Sequence, residues 1–187
     1  MDSNISDRLE NAVSEHRALD EAALALQQFL KAAEDKFPPV VLSVLHGEPL
    51  GHPLHPILVH LPLGGWMIAG ILDFLPLGET EGREKAADLA LLLGTVGGLG
   101  TVATGWTDWS NTRGQARRTG LVHGLLNETA LLLNAASLVA RRRGRRGLGK
   151  TLSGTALSLA LAGGFLGGQL VYRHGLGVGH TLSRPQG

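Results

Sequence analysis

The chain has 187 residues, seventeen basic and sixteen acidic side chains, a formal net charge of +1 and no cysteine. Disulfides and thiolate metal ligands are therefore excluded, as are the usual iron–sulfur clusters, because even a Rieske centre needs two cysteines. The near-neutral charge gives no argument for nucleic-acid binding. An apolar content of 43% would suit a soluble domain on average, but the apolar residues are unevenly spread.

Residues 4–36 contain no glycine or proline and are rich in Ala, Leu, Glu and Gln, which predicts a helix. Ile5, Leu9, Val13 and His16 share one face, and Leu19, Leu26 and Phe29 extend the apolar surface irregularly. Pro38-Pro39 stops the helix. Residues 1–48 hold nine acidic against four basic side chains, a poor composition for binding anionic lipid. This extension, residues 1–39, reads as a solvated cap or dimerisation helix. It has no early apolar run, so no cleavable signal peptide is expected. Val40 to Leu45 is too short to span a bilayer and is expected at its interface. Gly47, Pro49, Gly51, Pro53 and Pro56 then keep the chain irregular.

Four membrane-length stretches follow. Ile57 to Leu75 carries only His60 and Asp73, and Pro62 inside it predicts a kink near His60, because proline cannot donate to the Leu58 carbonyl. Leu89 to Thr107 is nineteen residues without a charge, and Thr151 to Tyr172 is twenty-two. Leu121 to Ala140 carries only His123 and Glu128. Glycine pairs at GxxxG spacing, Gly94 with Gly98, Gly163 with Gly167 and Gly164 with Gly168, predict close helix approach. The expected fold is all-α: a four-helix transmembrane bundle over residues 40–179, preceded by the polar helix and followed by a short tail, 180–187. The basic run Arg141, Arg142, Arg143, Arg145, Arg146 and Lys150 is a topology signal; facing the cytoplasm, it would place both termini and the histidines outside.

Such a topology gathers histidines at one membrane face. His52, His55 and His60 stand at the mouth of the first crossing, and Trp106, Asp108 and Trp109 at the matching end of the second. His123 begins the third crossing; Gln169, Tyr172 and His174 end the fourth, while Asp73 and Asp88 fall at the opposite face. His123, Asn127, Asn134, Ser137 and Arg141 form one polar helical stripe, which must face the interior or an aqueous cavity. A milder stripe of Thr151, Thr155, Ser158, Gln169 and Tyr172 on the fourth crossing is a candidate to pair with it. Histidine is costly in lipid and is a frequent haem and metal ligand. His60 with His123 is the pair chosen for a haem b, and His55 is a third cofactor ligand or a shield. His52, His55, His60, His123, Asp108 and His174 are the candidates around a divalent metal ion, Asp108 serving to orient an imidazole. Helix-to-helix hydrogen bonds and simple head-group contacts account for the same histidines without any cofactor.

The blocks LHGEPLGHPLHPILVHLPLGGWMIAGILD, GWTDW, VHGLLNETALLLNAASLVAR and GGQLVYRHGLGV, in this order, resemble the domain-of-unknown-function 2231 family of bacterial membrane proteins over roughly residues 45–179. The resemblance implies a four-helix integral domain of the bacterial cytoplasmic membrane, with His52, His55, Asp108 and His123 in its signature elements. Because such relatives occur joined to Rieske or cytochrome c domains, it also implies a redox partner of that kind. The expectation is a non-catalytic haem- or metal-binding subunit in electron transfer, embedded in the lipid bilayer and able to form a homo-oligomer. Two alternatives stay open. One is metal-ion or proton transport along the stripes, with Asn127, Asn134, Ser137 and Ser158 lining a wet cavity. The other is a structural or assembly subunit without cofactor.

Overall fold

A computed structural model describes Arg8, residues 17–76 and residues 80–177. The readings placed on Ile5, Leu9, Val13, His16 and His180 lie outside the described residues. Among the described residues every regular element is helical. Helix α1 is Arg17–Glu34 and α2 is Pro39–Leu45, followed by a 3-10 turn at Glu48–Leu50. Then come α3 (Leu54–Leu58), α4 (His60–Phe74), α5 (Thr80–Trp109), α6 (Gly114–Arg142) and α7 (Arg146–Tyr172).

The break between α3 and α4 falls at Val59, three residues before Pro62, whose missing N–H removes the bond to Leu58. Counted together, Leu54–Phe74 is one of three helical stretches long and apolar enough to cross a membrane. The others are Thr80–Trp109 and Arg146–Tyr172. The fourth stretch expected to qualify does not. Helix α6 has the length, 29 residues, but its hydropathy is diluted by the polar stripe and by arginines at both ends.

The chain divides into two compact units. One comprises Met1–Leu54, Thr104–Gly124 and Gly163–Gly187; the other His55–Ala103 and Leu125–Ala162. Helices α5, α6 and α7 each contribute a stretch to both.

The core of the first unit is Ala23, Trp109 and Leu121, with Leu19, Leu26, Leu30 and Trp106 packed against them. The apolar positions of α1 therefore form a helical stripe from Leu19 to Leu30, and that stripe docks on the Trp-bearing end of α5. Phe29, read from the sequence as part of this surface, points away and is exposed. Gln27 is buried and donates to the carbonyls of Trp109 and Thr112, both at 3.0 Å. Asp20 accepts from Arg117 at 2.9 Å and Arg118 at 2.8 Å. Helix α1 is docked by these contacts.

The core of the second unit is Trp66, Ala69, Leu91, Ala130, Leu131, Ala156 and Ala160. Small residues set the approach of α4 to α5: a methyl group on Gly65 would lie 2.7 Å from the Gly94 Cα. Gly98 makes room for Leu131 in the same way. Gly164, by contrast, has nothing within 4 Å where a side chain would stand.

Candidate functional site

Two of the candidate histidines are anchored across helices to backbone carbonyls. His55, half-buried in α3, sets Nδ1 2.9 Å from the carbonyl oxygen of Thr101. His123 in α6 sets Nδ1 2.7 Å from that of Gly163, and its ring lies over Gly167, where a methyl group would come within 3.0 Å of Cε1. A carbonyl oxygen only accepts, so in both rings Nδ1 carries the proton and a neutral ring keeps its lone pair on Nε2. His60 opens α4, is exposed, and sets Nδ1 3.1 Å from the Ile57 carbonyl oxygen in its own chain turn. His52 is exposed and His174 half-buried.

Asp108 does face an imidazole, but the ring belongs to His46, whose Nδ1 lies 3.4 Å from Oδ1. No sequence pattern singles out His46. It follows α2 and precedes Gly47, whose φ of +75° belongs to the left-handed region. A side chain on Gly47 would overlap the His52 carbonyl, so this glycine lets residues 46–54 fold back on themselves. Among the described residues no three His, Asp or Glu side chains are grouped as a small metal ion would require.

The tryptophans flanking Asp108 have structural duties. Trp106 and Trp109 meet edge to face with ring centroids 5.0 Å apart. Trp109 Nε1 donates to the Arg117 carbonyl at 2.8 Å and its indole fills the space left by Gly120. Trp106 occupies the corresponding space at Gly124.

A family model described as "Predicted membrane protein (DUF2231)" matches residues 51–180. The chain belongs to this family. No curated protein and no solved structure matches the chain. The DUF2231 match takes in His52, His55, His60, Asp108, His123 and His174, whereas α1 and His46 precede it. With three helices of membrane length, the chain is a membrane protein that contacts the lipid bilayer.

Within the DUF2231 domain the most developed polar assembly lies away from the histidines, in the second unit. Asp73 ends α4 with its carboxylate fully buried. Arg141 meets it with a two-pronged contact through Nη1 and Nη2, and Nη1 also reaches Asp88 at 2.8 Å. Its Nε donates to Ser137 at 3.0 Å and Nη2 to Ser153 at 2.9 Å, so all five guanidinium hydrogens have acceptors. Arg146 bridges Asp73 and Asp88 at 3.1 Å each, and Lys150 donates to the Asp73 carbonyl at 2.8 Å. Buried charges persist only when paired in this way.

Sequence spacing puts Asp73 and Asp88 away from the histidines and gives Arg146 only a topological meaning, so this network is not anticipated there. The readable clue is Asp73, the single carboxylate in the first apolar stretch, together with Arg141 closing the polar stripe of α6. That stripe turns inward as expected, with Asn134, Ser137 and Arg141 buried. On the partner stripe of α7, several members face outward. Thr151, Thr155 and Ser158 are exposed, and Thr151 and Ser158 bond back to the carbonyls of Gly147 and Gly154. Ser153, on another face of α7, answers Arg141 instead.

Proposed function

We propose that the protein is a four-crossing membrane subunit that holds haem b through imidazoles and relays electrons to a membrane-bound redox partner. The fourth crossing is α6. At 1.5 Å per residue its length is about 43 Å, enough for a hydrocarbon core of about 30 Å. Its polar residues turn inward, while Leu125, Leu132 and Val139, seven residues apart, are exposed as a lipid-facing seam.

The observation that carries the cofactor reading is the anchoring of His55 and His123 through Nδ1 to backbone carbonyls. Ligating imidazoles are oriented by such contacts, which direct the Nε2 lone pair and strengthen it as a donor. Haem needs only two axial imidazoles, whereas a small metal ion needs a larger ligand group, and no such group is assembled among the described residues. His123, His55 and His60 are the candidate ligands, each assigned on its own local geometry. Bound haem would supply one-electron chemistry; the chain's own part is to orient the rings.

The test is an absorption spectrum with iron analysis on full-length protein purified in mild detergent from haem-replete cells. A Soret band is expected, lost in His123→Ala and weakened in whichever of His55→Ala and His60→Ala removes the second ligand. A colourless, iron-free preparation, or a band indifferent to all three variants, would overturn the reading.

A further inference from the structure

The turn between α6 and α7 contains five arginines between positions 141 and 146, and the structure divides them into two sets. Arg141 and Arg146 point inward onto Asp73 and Asp88. Arg142, Arg143 and Arg145 are exposed, and among the described residues none of these three side chains makes a hydrogen bond or an ion pair. The local charge agrees with the division. Asp73, Asp88 and Glu84 are the carboxylates that meet these cations, and Arg146 alone touches all three. The three outer arginines are therefore a surplus that the fold itself does not use.

Their position gives the surplus a partner. Gly144, at φ +72°, reverses the chain between two long helices, and α7 is of membrane length from its first residue, Arg146. The three guanidinium groups thus stand at the end of a spanning helix, where lipid head groups lie. Exposed Val139 and Leu148 flank the turn on α6 and α7 and offer aliphatic surface beside the charges. We propose that Arg142, Arg143 and Arg145 form a binding site for anionic phospholipid, their planar forks taking the phosphodiester oxygens while Val139 and Leu148 border the acyl chains. This inference rests on membrane embedding and not on the haem assignment, so either can fail alone.

The test uses full-length protein in neutral detergent micelles doped with equal amounts of phosphatidylglycerol and phosphatidylcholine, with retained lipid counted by native mass spectrometry. Wild type should retain phosphatidylglycerol in excess, and each arginine replaced by glutamine should reduce that preference by about fivefold at low salt. The Arg142→Gln/Arg143→Gln/Arg145→Gln protein keeps the inner ion pairs and should unfold at the wild-type temperature. Arg113→Gln, an exposed arginine elsewhere, should leave the preference unchanged. Raising salt to about 1 M on wild type alone should erase most of the excess, since screening then acts within about 3 Å. Equal retention of the two lipids, or an unchanged preference in the triple variant, would overturn the proposal. So would complete displacement of phosphatidylglycerol by millimolar inorganic phosphate, which would make this a simple anion site.

Discussion

The two units solve the problem of polar groups in an apolar chain in different ways. In the second unit, polar residues from four helices converge on Asp73 and Arg141, and the ionic groups satisfy one another. In the first, beside the ion pairs of Asp20 with Arg117 and Arg118, polar side chains bond to backbone carbonyls or to a carboxylate: His123 to Gly163, Gln27 to Trp109 and Thr112, His46 to Asp108. Full charges need mutual neutralisation, because the penalty for an unpaired buried ion is several kcal/mol. Neutral imidazoles and amides need only one good acceptor each. The ionic arrangement locks helices together, and the neutral one fixes the orientation of imidazole rings.

The contrast is broken most severely at Arg141. Arg141→Leu leaves the buried Asp73 carboxylate to Arg146 alone and should destabilise the protein by about 3 kcal/mol, read as a lowered unfolding temperature in detergent. Asp73→Leu added to it should recover much of the loss, because an apolar pair replaces a broken ionic one. Arg141→Lys should recover little on its own, since an ammonium cannot serve two carboxylates and two hydroxyls in the fixed plane of a guanidinium. If all three behave like wild type, the network has no structural role.

A smaller effect is expected in the first unit. Gly120→Ala puts a methyl group into the Trp109 indole and should cost about 1–3 kcal/mol through overpacking. Its signature is selective: backbone amides of α1 should lose hydrogen-exchange protection while those around Trp66 keep theirs. Uniform loss across both regions would mean that α1 docking is not a separable feature.

The smallest effect is a pH dependence. The hydrogen bond from Arg117, with Arg118 adding its charge, holds the Asp20 carboxyl below its ordinary value of 3.8. A carboxyl depressed in the folded state contributes stability that is complete above the unfolded value of about 4 and fades as pH falls through the folded one. Asp20→Asn should therefore melt slightly below wild type at pH 7, and the gap should close as the medium is acidified below the ordinary carboxylate range. A gap that persists or widens in acid would contradict this sign.

Much of the fold was legible because it follows from local rules. The polar helix, its stop at Pro38-Pro39, the interruption before Pro62 and the apolar stretches depend on composition and periodicity within a few turns. The family was equally legible from the order of its motif blocks. The inward turn of Asn134, Ser137 and Arg141 was readable from helical spacing. Less visible was the destination of each side chain. The exposure of His60 at the start of α4 is one such feature, since position along the chain does not reveal it. Ser158 was placed in a cavity on position alone, and it lies outside, bonded to its own helix. His46 escaped notice because its meaning depends on Asp108, sixty-two residues away.

Sequence alone determined that this chain is helical, that it enters a membrane, and that its polar residues on α6 share one side, because hydrophobicity and the 3.6-residue repeat are local properties. Only the tertiary structure decided that Asp73 belongs to Arg141, that α1 closes over Trp109, and that three of five neighbouring arginines are left facing outward. Those choices depend on which side chains meet across helices, and pairing energies between distant positions leave no periodic trace in the chain.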